Sequence, residues 1–296
     1  MTAPVPAPSV ESSGRRSDVL LRLRRNRGAM VGAAIIGLIV LAAIFAPLIV
    51  PETPSKTAYL SRLDGRCCPG SSAAHWFGLD ELGRDVFSRV VFGARVSLLV
   101  AVVSVAIGLA FGVALGAAAG YFGGAVDSAI MRFIDIMLAF PSFLFAIGLV
   151  ALLGPGLWQI MIAIGVSNVP IFARLLRGSM LGVRQTPYVA SARVLGLPAR
   201  RVLLVHMLPN AISPVIVAAT LAMATAIIET AGLGFLGLGT ADPARPEWGV
   251  MLANTTRYLQ TAPHLAFFPG IAIVITVLGF NLLGDGLREA IDPKLS

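Results

Sequence analysis

The chain has 296 residues, of which 56% are hydrophobic and 13% charged, and its formal net charge is +8. Soluble domains carry about 25% charged residues, whereas here the apolar residues lie in long runs without charge, which excludes a soluble globular protein. The short alternating segments of an outer-membrane barrel are absent as well. The basic excess is typical of loops that orient a membrane protein, since no basic stripe is interleaved with aromatic residues. An all-α polytopic membrane protein is predicted.

A bilayer core takes about 20 apolar residues per helix. Six transmembrane helices are therefore predicted, at about 29–50, 96–118, 130–153, 157–173, 211–230 and 265–284. The arm 1–28 is rich in Pro, Ser and Ala and ends in a cluster of arginines. The first span is interpreted as a retained signal anchor, because it is longer than the apolar core of a signal peptide. Lys and Arg are more numerous in the segments on the side of the membrane that holds both termini. Because basic residues concentrate on the cytoplasmic side, the arm 1–28 and the tail 289–296 are expected in the cytoplasm.

The segment 51–94 is then an extracytoplasmic loop. Near its end, Leu79, Leu82, Val86 and Val90 repeat at helical spacing, which predicts an amphipathic helix capped by Asp80. A solvated loop helix explains the same residues. The adjacent pair Cys67 and Cys68 predicts neither a disulfide framework nor a zinc site. A vicinal disulfide or two free thiols remain as alternatives, without a catalytic role.

The segment 174–210 is polar, basic and helix-prone, and it separates two apolar spans. Pro187 suits the first turn of a short helix, on which Val189, Ala192 and Leu195 share a face. A second helical stretch places Val202, Val205 and Leu208 on one side and Arg200 and Arg201 on the other. Such a helix could present an apolar face to a groove on a soluble protein. Binding to anionic lipid headgroups explains these residues equally well.

This layout, with Gly196 and the closing run from His206 to Asn210, resembles the "EAA" loop of permease subunits of binding-protein-dependent ATP-binding-cassette (ABC) importers. In that family the loop forms a coupling helix that docks in a cleft of the ATPase subunit. The resemblance assigns this contact to Tyr188, Val189, Ala190, Ser191, Ala192, Arg193, Leu195, Gly196, Leu197 and Arg200. The family often has Glu at the position of Ala190, so this chain lacks a carboxylate that would anchor the loop.

Further motifs resemble the C-type subunit of the dipeptide, oligopeptide and nickel permeases. They are Asp80–Asp85, Gly93–Leu98, Gly120–Gly124, Phe235–Gly239, Glu247–Gly249 and Asn281–Arg288. The resemblance covers about 22–295 and implies the type I ABC importer permease fold. Its five-helix domain would occupy 95–288 and contain the coupling loop 174–210, with the first span at the periphery.

Ionisable side chains within spans are costly and need a physical explanation. Arg132 and Asp135 lie three residues apart, as do Asp285 and Arg288, and each pair is predicted to form an ion pair on one helix face. Glu229 lies near the outer end of the fifth span. It is predicted either to line a translocation cavity, where it could meet the ammonium group of a peptide, or to be a water-exposed helix end.

The resemblance implies a permease subunit that forms half of the translocation pathway of an ATP-driven di- or oligopeptide importer in a bacterial inner membrane. Import of nickel or another small solute is the alternative, and a stand-alone secondary carrier or channel is the rival of another class. The implied partners are a homologous B-type permease, two ABC ATPases, an extracytoplasmic substrate-binding protein, membrane lipid and the peptide. Nucleic acid is not among them. The chain has no phosphate-binding loop and no His-Glu-x-x-His motif, so ATP and Mg are expected on the ATPases, with no catalytic, cofactor or metal residue here.

Overall fold

The computed structural model describes residues 21–50, 53–57, 67–240, 242 and 245–291, and these are helical apart from loops and one isolated β-bridge between Leu79 and Asp85. The helices are α1 (Arg27–Ile44), α2 (Ala46–Ile49), α3 (Val86–Phe122), α4 (Gly124–Leu138), α5 (Ser142–Leu153), α6 (Leu157–Arg184), α7 (Pro187–Val194), α8 (Ala199–Arg201), α9 (Leu208–Ala211), α10 (Ser213–Phe235), α11 (Trp248–Thr255) and α12 (His264–Ile291). A π-helix, Val202–Met207, joins α8 to α9, and a 3₁₀ turn, Thr256–Tyr258, follows α11.

Five of these helices, α1, α3, α6, α10 and α12, are long and apolar enough to cross a membrane. A sixth span results if α4 and α5, which meet at a bend of 88°, are counted as one. The all-α membrane fold is therefore confirmed, but the third predicted span is broken in the middle. The break falls at Pro141, which has no amide hydrogen to donate and which disfavours helical backbone at the residue before it.

Helices α3 and α6 approach each other through a row of glycines on α3, four residues apart along one buried face: Gly108, Gly112, Gly116 and Gly120. A Cβ atom at Gly116 would lie 2.5 Å from the carbonyl oxygen of Ala173 on α6, and one at Gly112 would lie 2.6 Å from the Cβ of Phe172. Small residues allow such close backbone approach, which is how helices associate in lipid. We call this contact the glycine seam.

Helix α1 packs mainly against α12. A Cβ atom at Gly286 would lie 2.3 Å from the Cβ of Ala29, and one at Gly32 would lie 2.7 Å from the carbonyl oxygen of Gly279. The remaining surface of α1 carries exposed apolar side chains, among them Leu38 and Leu41. The first span therefore lies at the edge of the bundle, with most of its surface turned outward.

The bundle has two distinct ends. The upper end holds the segments 67–85, 154–156, 236–240 and 245–263, where the amide of Gly156 donates to the carbonyl oxygen of Leu238 at 3.2 Å. The lower end holds 123 and 185–212. Because α12 begins at the upper end and runs down the bundle, its last turn lies at the lower end, where Asn26 donates to Glu289 at 2.5 Å. Both ends of the described chain thus lie at the lower end.

The helix that the pattern predicts over 79–90 is wrong in its first half. In the structure α3 begins at Val86, and its N-cap is Asp85, whose side chain accepts from the amide of Ser88 at 2.8 Å. Asp80 instead accepts from the amide of Arg84 at 2.9 Å, closing a turn in which Gly83 has φ +68°. Such side-chain bonds compete with the helix. Earlier in the same loop, Cys67 and Cys68 form a vicinal disulfide.

We predict that Gly116→Ala weakens the bundle, because the added methyl group must push α6 away from α3. Overpacking of this kind costs about 1–3 kcal/mol. The measurement is the thermal midpoint of the purified protein in detergent. Gly148→Ala on α5 is the matched control, since a Cβ atom there meets nothing within 4 Å. Equal midpoints for the two variants would show that the glycine seam does not limit stability.

Candidate functional site

The short helix α7 has well-defined ends. Thr186 is its N-cap and Pro187 its first residue, where the missing amide hydrogen costs nothing. At the other end Gly196 takes φ +73°, and its amide donates to the carbonyl oxygen of Arg193 at 3.0 Å. The amide of Leu197 donates to Ala192 at 3.2 Å, which completes a Schellman motif. Gly196 therefore terminates the helix, a role that a side chain would disfavour.

The apolar face predicted for α7 is divided between two environments. Val189 is 0% exposed and Ala192 is also buried, both against the bundle, whereas Leu195 is 79% exposed. The prediction that all three form one docking face is therefore wrong. A short helix at the end of the bundle needs buried side chains to fix its position. Val189 and Ala192 provide this anchor by packing against the bundle.

Apart from Pro187, the exposed residues of α7 and its C-cap are Tyr188, Ala190, Ser191, Arg193, Val194 and Leu195, and we call them the coupling surface after the loop that the motif resembles. Val194 is its most exposed apolar side chain, at 88%. Helical spacing from the buried Val189 and Ala192 places Val194 on the opposite side. Sequence reasoning missed it because all apolar residues were assigned to one face.

The second helical stretch also differs from its prediction. Val202 is buried, but Val205 is exposed, because the turns from Val202 to Met207 form a π-helix. Pro209 cannot donate to the carbonyl of Val205, and its ring crowds that oxygen in a regular helix, which favours the wider turn. Asn210 then donates from its side chain to the carbonyl oxygen of His206 at 2.8 Å. Arg200 is exposed on α8, beyond the coupling surface.

Ion pairs connect α4 to α6 near the lower end. Asp127 accepts from Nε and Nη2 of Arg177 at 2.5 and 2.6 Å, and Asp135 pairs with Arg174. The predicted pair between Arg132 and Asp135 is therefore wrong, because α6 lies close enough to supply a better-placed guanidinium. The predicted pair of Asp285 with Arg288 likewise does not form among the described residues.

An apolar cleft of about 680 Å³ opens on the outward surface of α6, beside the end of α4. It is lined by Leu138, Pro170, Ile171, Leu175 and Pro214, and Arg174 stands at its border. Apolar surface of this size on one helix face is typical of contact with another protein or with lipid.

Glu229 is half-buried near the upper end of α10. It precedes the last residue of α10 by six positions, about 9 Å along the helix. Ser142, the first residue of α5, donates to its Oε1 at 3.2 Å. Its Oε2 is buried and has no hydrogen-bond partner among the described residues. The structure thus places a carboxylate with an unused acceptor at the point where the broken span resumes.

The upper end is fixed by buried polar groups. Arg84 donates from Nε to Asp80 at 2.6 Å, and both side chains are less than 10% exposed. Trp248 is buried and donates to the carbonyl oxygen of Val90 at 3.0 Å. A Cβ atom at Gly93 would lie only 2.7 Å from the Trp248 ring, so the ring occupies the space that a side chain at this position would need. The motifs around these residues therefore build the upper end.

Glu247 is the N-cap of α11 and accepts from the amides of Gly249 at 2.8 Å and Val250 at 3.0 Å. Burial in this site raises the pKa of its carboxyl from 4.5 to about 7, although the two amide hydrogen bonds act in the opposite direction. The folded protein thus keeps this carboxyl neutral at a pH where the unfolded chain ionises it.

Comparison with known proteins agrees with this architecture. Residues 112–296 match the binding-protein-dependent transport system inner membrane component family, and 15–64 match the N-terminal transmembrane domain of oligopeptide transport permease C. The chain belongs to the first of these families. It is therefore a permease subunit of an ABC importer and a multi-pass inner-membrane protein, and the resemblance seen in its motifs is confirmed.

Two relatives show how far the similarity extends. The dipeptide transport system permease protein DppC of Alkalihalophilus pseudofirmus is 46% identical over 278 residues, 94% of this chain and 90% of that protein. The glutathione transport system permease protein GsiD of Escherichia coli O157:H7 is 46% identical over 274 residues, 93% and 89% of the two chains. Among solved structures, a chain of the MetNI methionine ABC transporter in inward-facing conformations matches with a TM-score of 0.56 and 19% identity, covering 69% of this chain and 96% of that one. That likeness shows a shared fold.

We predict that stability depends on the ionisation of Glu247. Because its folded pKa is raised, the full stability is present below about pH 4.5, is lost as the pH rises to about 7, and stays low above that value. The difference is on the order of 3 kcal/mol. The measurement is the thermal midpoint at pH 5 and pH 8.

Glu247→Gln removes the ionisation while keeping one carbonyl oxygen as an acceptor for these amides, and it should reduce the difference between the two midpoints. Glu289→Gln, at the lower end, is the control for general effects of charge and should leave the difference unchanged. An identical pH response in wild type and Glu247→Gln would refute the assignment.

Proposed function

We propose that this subunit forms half of the translocation pathway of an importer for di- or oligopeptides. The observation that carries the proposal is the 46% identity, over nearly the whole chain, to permeases named for a dipeptide and for glutathione, itself a short peptide. The proposal gains support from Glu229. A free peptide carries an ammonium group, which could donate a hydrogen bond to the carboxylate oxygen that has no other partner.

The lower end faces the cytoplasm in this proposal, and both termini lie there. The support comes from basic residues, which concentrate at the cytoplasmic side of membrane proteins. Arginines gather at the lower end of α6 and in the helices that follow it: Arg174, Arg177, Arg184, Arg193, Arg200 and Arg201. The upper end would then receive peptide from an extracytoplasmic substrate-binding protein.

The coupling surface docks in a cleft of an ABC ATPase. Val194 and Leu195 enter the apolar part of that cleft, while Gly196, Leu197 and Arg200 lie just beyond it. Val189 and Ala192 hold α7 to the bundle. Displacement of the ATPase is therefore transmitted to the span that precedes the loop, α6, and to the span that follows it, α10. Two such ATPases bind ATP and Mg and carry out hydrolysis.

A homologous B-type permease completes the pathway. The apolar cleft on α6 supports this partner, because a second bundle that packs on α6 would cover its apolar lining. Ala190 is exposed and has no charge. The register of docking therefore rests on exposed basic residues beside this surface, such as Arg200, with acidic partners on the ATPase.

The decisive experiment is ATP-driven uptake by the complete complex in proteoliposomes, with a radiolabelled dipeptide and with nickel as parallel cargoes. Dipeptide accumulation that requires ATP is expected. Accumulation of nickel without dipeptide would show that nickel, not a peptide, is the cargo. Flux by this chain alone without ATP would favour a secondary carrier.

In the same assay, Val194→Asp together with Leu195→Asp should uncouple transport. Burial of one such side chain contributes about 1.5–3 kcal/mol, so each substitution should weaken ATPase binding about tenfold or more. Co-purification of the ATPase measures the loss directly. Val205→Asp is the control, because Val205 is an exposed apolar residue of the lower end that lies outside the coupling surface. Equal losses in both variants would contradict docking through α7.

Glu229→Gln should lower uptake of dipeptides with a free amino terminus by about tenfold, the value of one lost charge-assisted hydrogen bond. Glu229→Asp should retain more activity than Glu229→Gln. Ser142→Ala serves as the control, because it removes the neighbouring hydroxyl but leaves the charge. Unchanged uptake in Glu229→Gln, with normal complex assembly, would remove Glu229 from the pathway.

A further inference from the structure

A second cleft, of about 390 Å³, lies at the lower end where α3 ends beside α6 and the coupling loop. Tyr121 and Phe122 of α3 line it together with Leu197, Ala199 and Val202 of the coupling loop. Arg184 and Arg193 are the charged residues that line it. We call it the arginine cleft.

The arginine cleft has two positive charges and, among the described residues that line it, no acid to balance them. The ion pairs of the described residues involve neither Arg184 nor Arg193. This differs from the preceding turns of α6, where Arg174 and Arg177 both have aspartate partners. Two guanidinium groups with free donors at one cleft form a site for an anion that accepts several hydrogen bonds, and a phosphate group does so.

Both guanidinium groups are held in position. The guanidinium of Arg193 lies 5.8 Å from the centroid of the Tyr121 ring, at the distance of a cation–π contact. Nη1 of Arg184 lies 3.0 Å from the position of a Cβ atom at Gly123, so it rests against the turn between α3 and α4. Little side-chain freedom is therefore lost when an anion binds.

The surroundings of the cleft select the kind of phosphate. Tyr121 and Phe122 end the longest span, and aromatic residues at the end of a span lie at the level of the lipid headgroups. Phe122 is largely exposed next to the two arginines, so an acyl chain could pack on its ring while the phosphate meets the guanidinium groups. Charge and apolar surface side by side fit a phospholipid better than a free ion.

We propose that the arginine cleft binds the phosphate headgroup of an anionic phospholipid. The lipid bridges Arg184 at the end of α6 and Arg193 on α7, and thereby ties the coupling helix to its span. Each basic residue near an anionic surface contributes attraction that neutral lipid lacks. Binding depends on these local residues alone, so it can be tested separately from the transported cargo.

The test is native mass spectrometry of the complete chain, purified with its partner subunits and titrated with phosphatidylglycerol, with phosphatidylcholine of the same acyl chains, or with inorganic phosphate. Phosphatidylglycerol should bind about tenfold more tightly than phosphatidylcholine, because the choline cation of phosphatidylcholine offsets its phosphate charge and is repelled by the two arginines. Equal affinities for the two lipids would overturn the proposal. Displacement of the lipid by inorganic phosphate at equal concentration would also overturn it, because the occupant would then be a free anion.

Arg184→Gln and Arg193→Gln should each weaken phosphatidylglycerol binding at least about fivefold, and Arg184→Lys should restore part of it. Arg132→Gln is the matched control, because it removes one exposed positive charge from α4 outside the cleft. A similar loss in Arg132→Gln would show that the effect is general membrane charge. If Arg193→Gln weakens ATPase co-purification but leaves lipid binding intact, the cleft belongs to the protein interface and the lipid proposal fails.

Discussion

The close approach of α3 to α6 along the glycine seam is the contact on which the rest of the bundle depends. In lipid no hydrophobic gain favours one helix pair over another, so the pair that packs most closely is selected by its shape. Because the seam runs down to Gly120, it brings the end of α3 beside the end of α6. Helix α7 packs against these two helix ends, and the arginine cleft lies between them and the coupling loop.

Helix α7 is anchored on one side and exposed on the other. Val189 and Ala192 pack against the bundle, whereas Val194 and Leu195 are exposed, and the Schellman motif at Gly196 ends the helix. Both features are what the proposed docking requires, because the helix must be rigid relative to its own bundle and still offer apolar surface. The π-helix Val202–Met207 has more residues per turn than an α-helix. The residues that follow it, which lead into α10, are therefore rotated relative to the positions that a continuous α-helix would give them.

Run length and spacing predicted most of the fold, because a membrane span has a length set by the bilayer. The errors arose where a local side chain competes with the periodic pattern, or where a partner comes from a distant part of the chain. Asp80 bonds to backbone amides and prevents the helix that the spacing of Leu79 and Leu82 suggests. Asp135 pairs with Arg174, which is 39 residues away, so no local rule identifies it. Periodicity likewise cannot tell a face that anchors α7 from a face that docks a partner, since both are apolar.

The two ends of the bundle also differ in how easily they can rearrange. At the upper end Arg84 and Asp80 are 5% and 8% exposed, and breaking a buried pair of this kind costs about 3–5 kcal/mol. At the lower end Arg174 and Asp135 are 54% and 61% exposed, and an exposed pair contributes at most about 1 kcal/mol. The Arg174–Asp135 pair between α4 and α6 can therefore open and re-form at little cost, whereas the upper loops keep their arrangement. The junction held by this pair is thus the easier of the two to rearrange, and it lies next to the break at Pro141, which Ser142, the partner of Glu229, directly follows.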